Sequence, residues 1–94
     1  LVKGVWSKDA AVLLEKCERF TVTDCSILDS DGVGLLLKDC RRTLVRDCVI
    51  RDDREPRKAT LSLKVDGGSD NWISGNWLAN GAEPRTELLE GNRF

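Results

Sequence analysis

The acidic residues of this chain are the ones whose type and spacing best suit chemistry. Asp52 and Asp53 are adjacent, and Asp29 precedes Asp52 by one copy of an internal repeat described below. Clustered carboxylates are ligands that Ca²⁺ prefers, and paired carboxylates can act as acid and base across a glycosidic bond. Asp in turns also caps backbone N–H groups, so a purely structural role is the alternative.

Two tryptophans and two arginines form a second candidate set. Exposed Trp72 and Trp77 would offer flat faces to sugar rings, and Arg46 and Arg51 would offer cations to an acidic sugar. The alternative is that these side chains are covered by other parts of the protein or by a partner subunit. No catalytic motif can be matched residue by residue, so the sequence names no catalytic residue and leaves open whether the protein is an enzyme.

Composition excludes several functional classes. The 94 residues include no His, which excludes Ser-His-Asp and Cys-His catalysis and any His-ligated metal. The 15 Lys and Arg nearly balance the 16 Asp and Glu, and the net charge of −1 argues against a nucleic-acid partner. No apolar run is long enough to span a bilayer.

The four cysteines, Cys17, Cys25, Cys40 and Cys48, are the third feature that could do chemistry. Their wide spacing does not match the short knuckles of a four-cysteine zinc site, so we predict no metal at the cysteines. A disulfide between stacked copies of the repeat is conceivable, although parallel Cβ directions would strain it. We favour free, buried thiols that pack as small hydrophobic groups at turn corners.

An internal repeat organises the whole chain. The stretch from Val12 to Ser30 matches the stretch from Leu35 to Asp53 at a shift of 23 residues, and Cys17 and Cys25 then fall on Cys40 and Cys48. A third copy, Leu63–Asn80, follows at a shift of 28. The five extra residues fall in the Pro-containing segment 54–59, which is typical of a loop. Asn92 can continue the position of Asn76, with a linker too short for a full copy; alternatively, Leu88 and Leu89 begin a truncated copy.

Each copy contains short runs in which apolar residues alternate with polar ones, and this period of two predicts strands. The segment 7–20 also fits a helix that begins at Ser7, because Ala, Leu, Glu and Lys favour helices. We predict a strand for Ala10–Leu14, because it aligns with "VGLLL", where Gly34 disfavours a helix.

A 23-residue repeat of short strands predicts a coiled chain in which every strand pairs in parallel with its equivalent one coil away. The predicted fold is all-β, a right-handed parallel β-helix solenoid of about four coils. The stretches "VGLLLKDCRRTLVRDCVIRD" and "NWISGNWLANG" carry a resemblance to the right-handed parallel β-helix family, which includes pectate-lyase-like and periplasmic copper-site-maturation proteins. A leucine-rich repeat of the cysteine-containing type is the alternative fold.

The resemblance implies a carbohydrate-associated module, part of a larger polysaccharide-binding or polysaccharide-processing protein that is extracellular or periplasmic. We expect residues 1–94 to form one domain of a longer solenoid, with a polysaccharide as partner and Ca²⁺ as the one cofactor to consider. The competing function is a structural module without catalytic activity. Such a module would form homo-oligomers through an apolar stripe or through the open ends of the solenoid.

Overall fold

The computed structural model describes residues 1–5, 10–83 and 92–93, and these residues form an all-β solenoid of parallel strands. The alternation of apolar and polar residues decides this architecture, because each short strand buries one face against the strands on the other sides of the coil. The strands are β1 (Val2–Lys3), β2 (Ala10–Glu15), β3 (Thr21–Thr23), β4 (Ser26–Leu28), β5 (Gly32–Lys38), β6 (Leu44–Arg46), β7 (Val49–Arg51), β8 (Ala59–Asp66), β9 (Trp72–Ser74), β10 (Trp77–Leu78) and β11 (Ala82–Glu83).

Three coils stack on one another, and each contributes one long and two short strands. Coil 1 is β2–β3–β4, coil 2 is β5–β6–β7 and coil 3 is β8–β9–β10. Equivalent strands pair in parallel to give three sheets, in the orders β1-β4-β7-β10, β11-β8-β5-β2 and β3-β6-β9. The prediction of a parallel solenoid is therefore confirmed, and the leucine-rich repeat is wrong. The alternative helix is wrong over the described part of segment 7–20, since β2 spans Ala10–Glu15, while its expected start at Ser7 lies outside the described residues.

The predicted register is confirmed at both shifts. Val22 pairs with Val45 and Val45 with Ile73, which are steps of 23 and 28 residues along the chain. The extra residues lie in the loop that joins β7 to β8, as predicted. The count of about four coils was slightly too high. The described chain makes about three turns. Beyond these turns it adds only β1 and β11, which are two residues long each and do not form further complete coils. Leu88 and Leu89 lie outside the described residues.

The corners between strands are built by stacked residues with a left-handed backbone. This conformation costs Gly nothing and is tolerated better by Asp and Asn than by most other residues. The three stacked corner sets are Lys16, Asp39 and Gly67; Arg19, Arg42 and Asp70; and Asp24, Asp47 and Gly75, all with φ between 53° and 72°. Gly68, which follows Gly67, lets the backbones of coils 2 and 3 approach closely, since a Cβ at Gly68 would lie 2.0 Å from the carbonyl oxygen of Cys40.

The inward-facing side chains form ladders of like residues along the solenoid axis, and burial differs between the coils. In coil 2, Leu35, Leu37 and Val45 are fully buried, and coil 3 buries Leu63 and Ile73 equally well. Their equivalents in coil 1 are less covered: Val12, Leu14 and Val22 are only partly buried. The described residues thus leave the apolar ladders of coil 1 partly open to solvent.

Candidate functional site

Asp52, the first acidic candidate, is fully occupied by contacts within the protein. Its side chain is 1% exposed, and one oxygen accepts a bond from Arg54 Nε at 2.8 Å. The other accepts from Arg54 Nη2 at 2.9 Å and from the backbone N–H groups of Lys58 and Ala59 at 2.8 Å each. The Arg54 guanidinium and these N–H groups hold the pKa of Asp52 well below its usual range, although burial opposes them. Asp52 therefore closes the loop between β7 and β8.

The other two acidic candidates lie beside Asp52 and also bond to the protein. Asp29 has a left-handed backbone, and its Oδ1 accepts the backbone N–H of Asp53 at 3.0 Å. Asp53 Oδ2 lies 2.7 Å from Arg51 Nη2. The structure thus brings Asp29, Asp52 and Asp53 together in turn geometry. Within the described ranges no group of three or more His, Cys, Asp or Glu residues is arranged to hold a metal ion.

The predicted sugar contacts do not form one platform, because they lie on two different sheets. Arg51 and Trp77 are on β7 and β10, whereas Arg46 and Trp72 are on β6 and β9. Two guanidinium groups contact the Trp77 ring. The Cζ atom of Arg51 lies 4.6 Å from the ring centre, and that of Arg93 lies 4.7 Å from it. Such cation–π contacts occupy an aromatic face. Trp77 is therefore engaged in cation–π contacts with Arg51 and Arg93, and Arg51 also forms an ion pair with Asp53.

Trp72 has a different environment, since its side chain is 63% exposed on the outer face of the β3–β6–β9 sheet. Ile73 and Val45 are buried, so Trp72 and its in-register neighbour Leu44 point outward. Arg46, which is exposed, pairs with Ser74 on the same face. Thr21 and Thr23 extend these two columns onto β3. This outer face, which we call the Trp72 face, combines an aromatic ring, a guanidinium and three hydroxyl groups.

The long sheet carries a groove that the candidate residues did not include. It encloses about 410 Å³ on the outer face of β2, β5 and β8 and contains two columns of side chains. One column is Leu13, Leu36 and Lys64, and the other is Glu15, Lys38 and Asp66. Because opposite charges alternate down the second column and the groove holds no aromatic side chain, its chemistry is less selective than that of the Trp72 face.

The cysteines lie at two corners of the solenoid as free thiols. Cys40 and Cys48 in coil 2 are buried, and Cys17 and Cys25 in coil 1 are partly buried. Below Cys48 the ladder continues with Asn76, whose Oδ1 accepts the Cys48 N–H at 2.9 Å. Asn92 continues it further, since its Oδ1 accepts the Asn76 N–H at 3.1 Å. Cys48, Asn76 and Asn92 therefore belong to one ladder, in which the shift of 28 residues sets Asn76 on the position of Cys48.

No family model matches the chain, and neither a curated protein nor a solved structure matches it. The fold and site therefore define a class only, a parallel β-solenoid with an exposed Trp72 face. None of the described residues belongs to a helix that is long and apolar enough to cross a membrane.

Proposed function

We propose that the protein is a carbohydrate-binding β-solenoid module, related to the pectate-lyase-like β-helix proteins, and that the Trp72 face contacts an acidic polysaccharide. The observation that carries the proposal is the exposure of Trp72 on the outer face of the β3–β6–β9 sheet, the same face to which Arg46 belongs. An exposed indole packs against the apolar face of a sugar ring, while a guanidinium binds a carboxylate through two parallel N–H donors. The hydroxyls of Thr21, Thr23 and Ser74 suit sugar hydroxyls.

The exposure of the Trp72 face fits a polymer better than a small molecule. Trp72 is 63% exposed on this face, whereas small-ligand sites usually bury most of their ligand. A chain of sugar rings can gain contacts by extending along stacked coils, since equivalent residues recur at about 4.8 Å. As part of this proposal we assign the module to an extracellular or periplasmic polysaccharide-binding or polysaccharide-processing protein.

The experiment is a binding titration with a uronic-acid oligosaccharide, followed by the backbone and indole N–H signals of the protein. We expect shifts at Trp72 and across β6 and β9, with weaker binding of the uncharged analogue. Trp72→Ala and Arg46→Gln should each weaken binding at least about tenfold, the loss expected from one stacked ring or one charged hydrogen bond.

Two matched variants serve as controls. Arg41→Gln removes an exposed arginine at a corner outside the Trp72 face, and Trp77→Phe alters the tryptophan that already contacts Arg51 and Arg93. Both should bind the oligosaccharide as the wild type does. Equal losses in Arg41→Gln and Arg46→Gln would show that binding depends on net charge alone and would remove the proposed site.

A second function, that of a structural module that self-associates, is favoured by the open end of coil 1. Phe20 is 45% exposed there, and the outer edges of β2 and β3 have no neighbouring strand among the described residues. Unpaired edges beside apolar side chains are typical association surfaces. Sedimentation across a wide concentration range tests this: a dimer that Phe20→Glu dissociates supports it, and a monomer throughout rejects it.

A further inference from the structure

The cysteines form two pairs, each stacked across the boundary between coil 1 and coil 2. Residues on both sides of each pair fix its register. Glu15 pairs with Lys38 and Glu18 with Arg41, which sets Cys17 opposite Cys40. In the same way, the pairings Thr23 with Arg46 and Ser26 with Val49 set Cys25 opposite Cys48. Neighbouring strands lie about 4.8 Å apart, which falls within the Cα separation that a disulfide permits.

The sulfur atoms of coil 2 project into the space between the two coils. Cys40 Sγ lies 3.1 Å from the carbonyl oxygen of Leu14, a residue of coil 1. Cys48 Sγ contacts the carbonyl oxygens of Arg46 in its own coil and Val22 in coil 1, at 3.3 and 3.9 Å. The buried thiol of each pair thus contacts the backbone of coil 1, the coil that contains its partner cysteine.

The two members of each pair differ in exposure, and the difference has the same direction at both corners. Cys17 and Cys25 in coil 1 are partly exposed, whereas Cys40 and Cys48 in coil 2 are buried. A reagent in solution therefore meets the coil 1 thiol first. The buried thiol is the one placed to complete a reaction that begins at the surface.

From this arrangement we propose that Cys17–Cys40 and Cys25–Cys48 are reversible thiol–disulfide sites that link coil 1 to coil 2 when a small-molecule disulfide is present. The coil 1 thiolate attacks the reagent and releases one thiolate, which leaves a mixed disulfide on the protein. The buried thiol then loses its proton, attacks the protein sulfur and expels the second thiolate. Two protein thiols are oxidised, and one reagent disulfide is reduced to two thiols.

Strain makes these bonds reversible. The Cβ atoms of stacked residues point in the same direction, which strains a bridge between them, and strained disulfides are reduced more readily than relaxed ones. Partial burial raises the pKa of the Cys17 thiol, with a smaller contribution from the neighbouring Cys40. Oxidation of the Cys17 pair should therefore be faster at mildly alkaline pH, where more thiolate forms.

The test treats the native protein with oxidised glutathione at pH 8.5 and maps the products by mass spectrometry. We expect each pair to lose the mass of two hydrogens. The digest should contain peptides joined as Cys17–Cys40 and Cys25–Cys48, and dithiothreitol should restore the free thiols. Amide exchange in β2 and β3 should slow at least several-fold in the oxidised form, because coil 1 is then tied to coil 2.

Single variants distinguish the proposed order of events. Cys40→Ser and Cys48→Ser should retain glutathione on Cys17 and Cys25 respectively, since each lacks the thiol that resolves the mixed disulfide. Cys17→Ser retains a buried thiol and should leave Cys40 unmodified, which keeps the test decisive even if a buried substitution prevents folding. Persistent glutathione adducts on the wild type, inert thiols, or links between Cys17 and Cys25 would overturn the proposal.

Discussion

The Asn76 side chain joins coil 3 to coil 2 by bonding to Cys48 and to the strand before it. Its Oδ1 accepts the Cys48 N–H at 2.9 Å, and its Nδ2 donates to the carbonyl oxygen of Val45 at 3.1 Å. Asn71 repeats the arrangement at another corner, between Thr43 N and Cys40 O. A side chain that both donates and accepts thus satisfies backbone groups of the coil above it.

Asn76→Ala should lower the free energy of unfolding by about 3 kcal/mol, because it leaves a buried donor and a buried acceptor unpaired. Asn71→Ala should behave similarly, since its side chain makes the same two kinds of bond. Urea denaturation measures both losses. Ser69→Ala, at an exposed corner, is the control and should change stability by less than about 0.5 kcal/mol. A loss in Asn76→Ala no larger than in the control would contradict this role.

Asp52→Asn should destabilise the protein by about 3 kcal/mol at neutral pH, because the buried carboxylate bonds to Arg54 and to three backbone N–H groups. Asp53→Asn is the matched control. Its carboxylate is 59% exposed, and exposed ion pairs contribute less than about 1 kcal/mol. Thermal unfolding of the two variants beside the wild type measures the difference, and equal losses would mean that burial of Asp52 does not matter.

The stabilisation by Asp52 should also depend on pH. The pKa of Asp52 is depressed in the folded protein, so its contribution is fully present above the unfolded pKa of about 3.9 and is lost as pH falls toward the folded value. The stability difference between wild type and Asp52→Asn should therefore shrink between about pH 5 and pH 2. A difference that stays constant over this range would show that the carboxylate charge is not what stabilises the loop.

Thr43→Val should stabilise the protein by about 1 kcal/mol. Thr43 is fully buried, and among the described residues its hydroxyl has no hydrogen-bond partner. Valine has nearly the same shape and removes that unpaired group, while the backbone N–H still donates to Asn71. Thr21→Val, at an exposed position of β3, is the control. Thermal unfolding that shows a loss in Thr43→Val would mean that the hydroxyl is satisfied in solution.

The fold could be predicted from the sequence because the repeat is visible in residues that share a ladder. Two ladders fix the register: one contains Cys17 and Cys40, and the other contains Val22, Val45 and Ile73. A period of two then fixes which side chains point inward. The number of coils was harder to predict. Residues such as Asn92 match the repeat, but at the ends few backbone groups have a neighbouring strand to pair with.

The site was predictable only in part, because sequence places residues in register but does not show which bonds they make. Asp52 and Asp53 are adjacent in the chain, yet the sequence could not show that Arg54 and the N–H groups of the loop occupy Asp52. Similarly, Trp72 and Trp77 both face outward, but only the three-dimensional arrangement separates them onto two sheets and sets Arg51 against Trp77.

The two outward tryptophans should differ in their access to solvent. Variants that retain one of them, Trp6→Phe with Trp77→Phe or with Trp72→Phe, isolate each fluorescence signal. Acrylamide should quench Trp72 at least about twice as strongly as Trp77, because Trp72 is 63% exposed and Trp77 lies against Arg51 and Arg93. Arg93→Ala should raise the quenching of Trp77 and leave that of Trp72 unchanged. Equal quenching of both tryptophans in the two isolated forms would mean that the arginines do not cover Trp77, and it would then be as open to a sugar ring as Trp72.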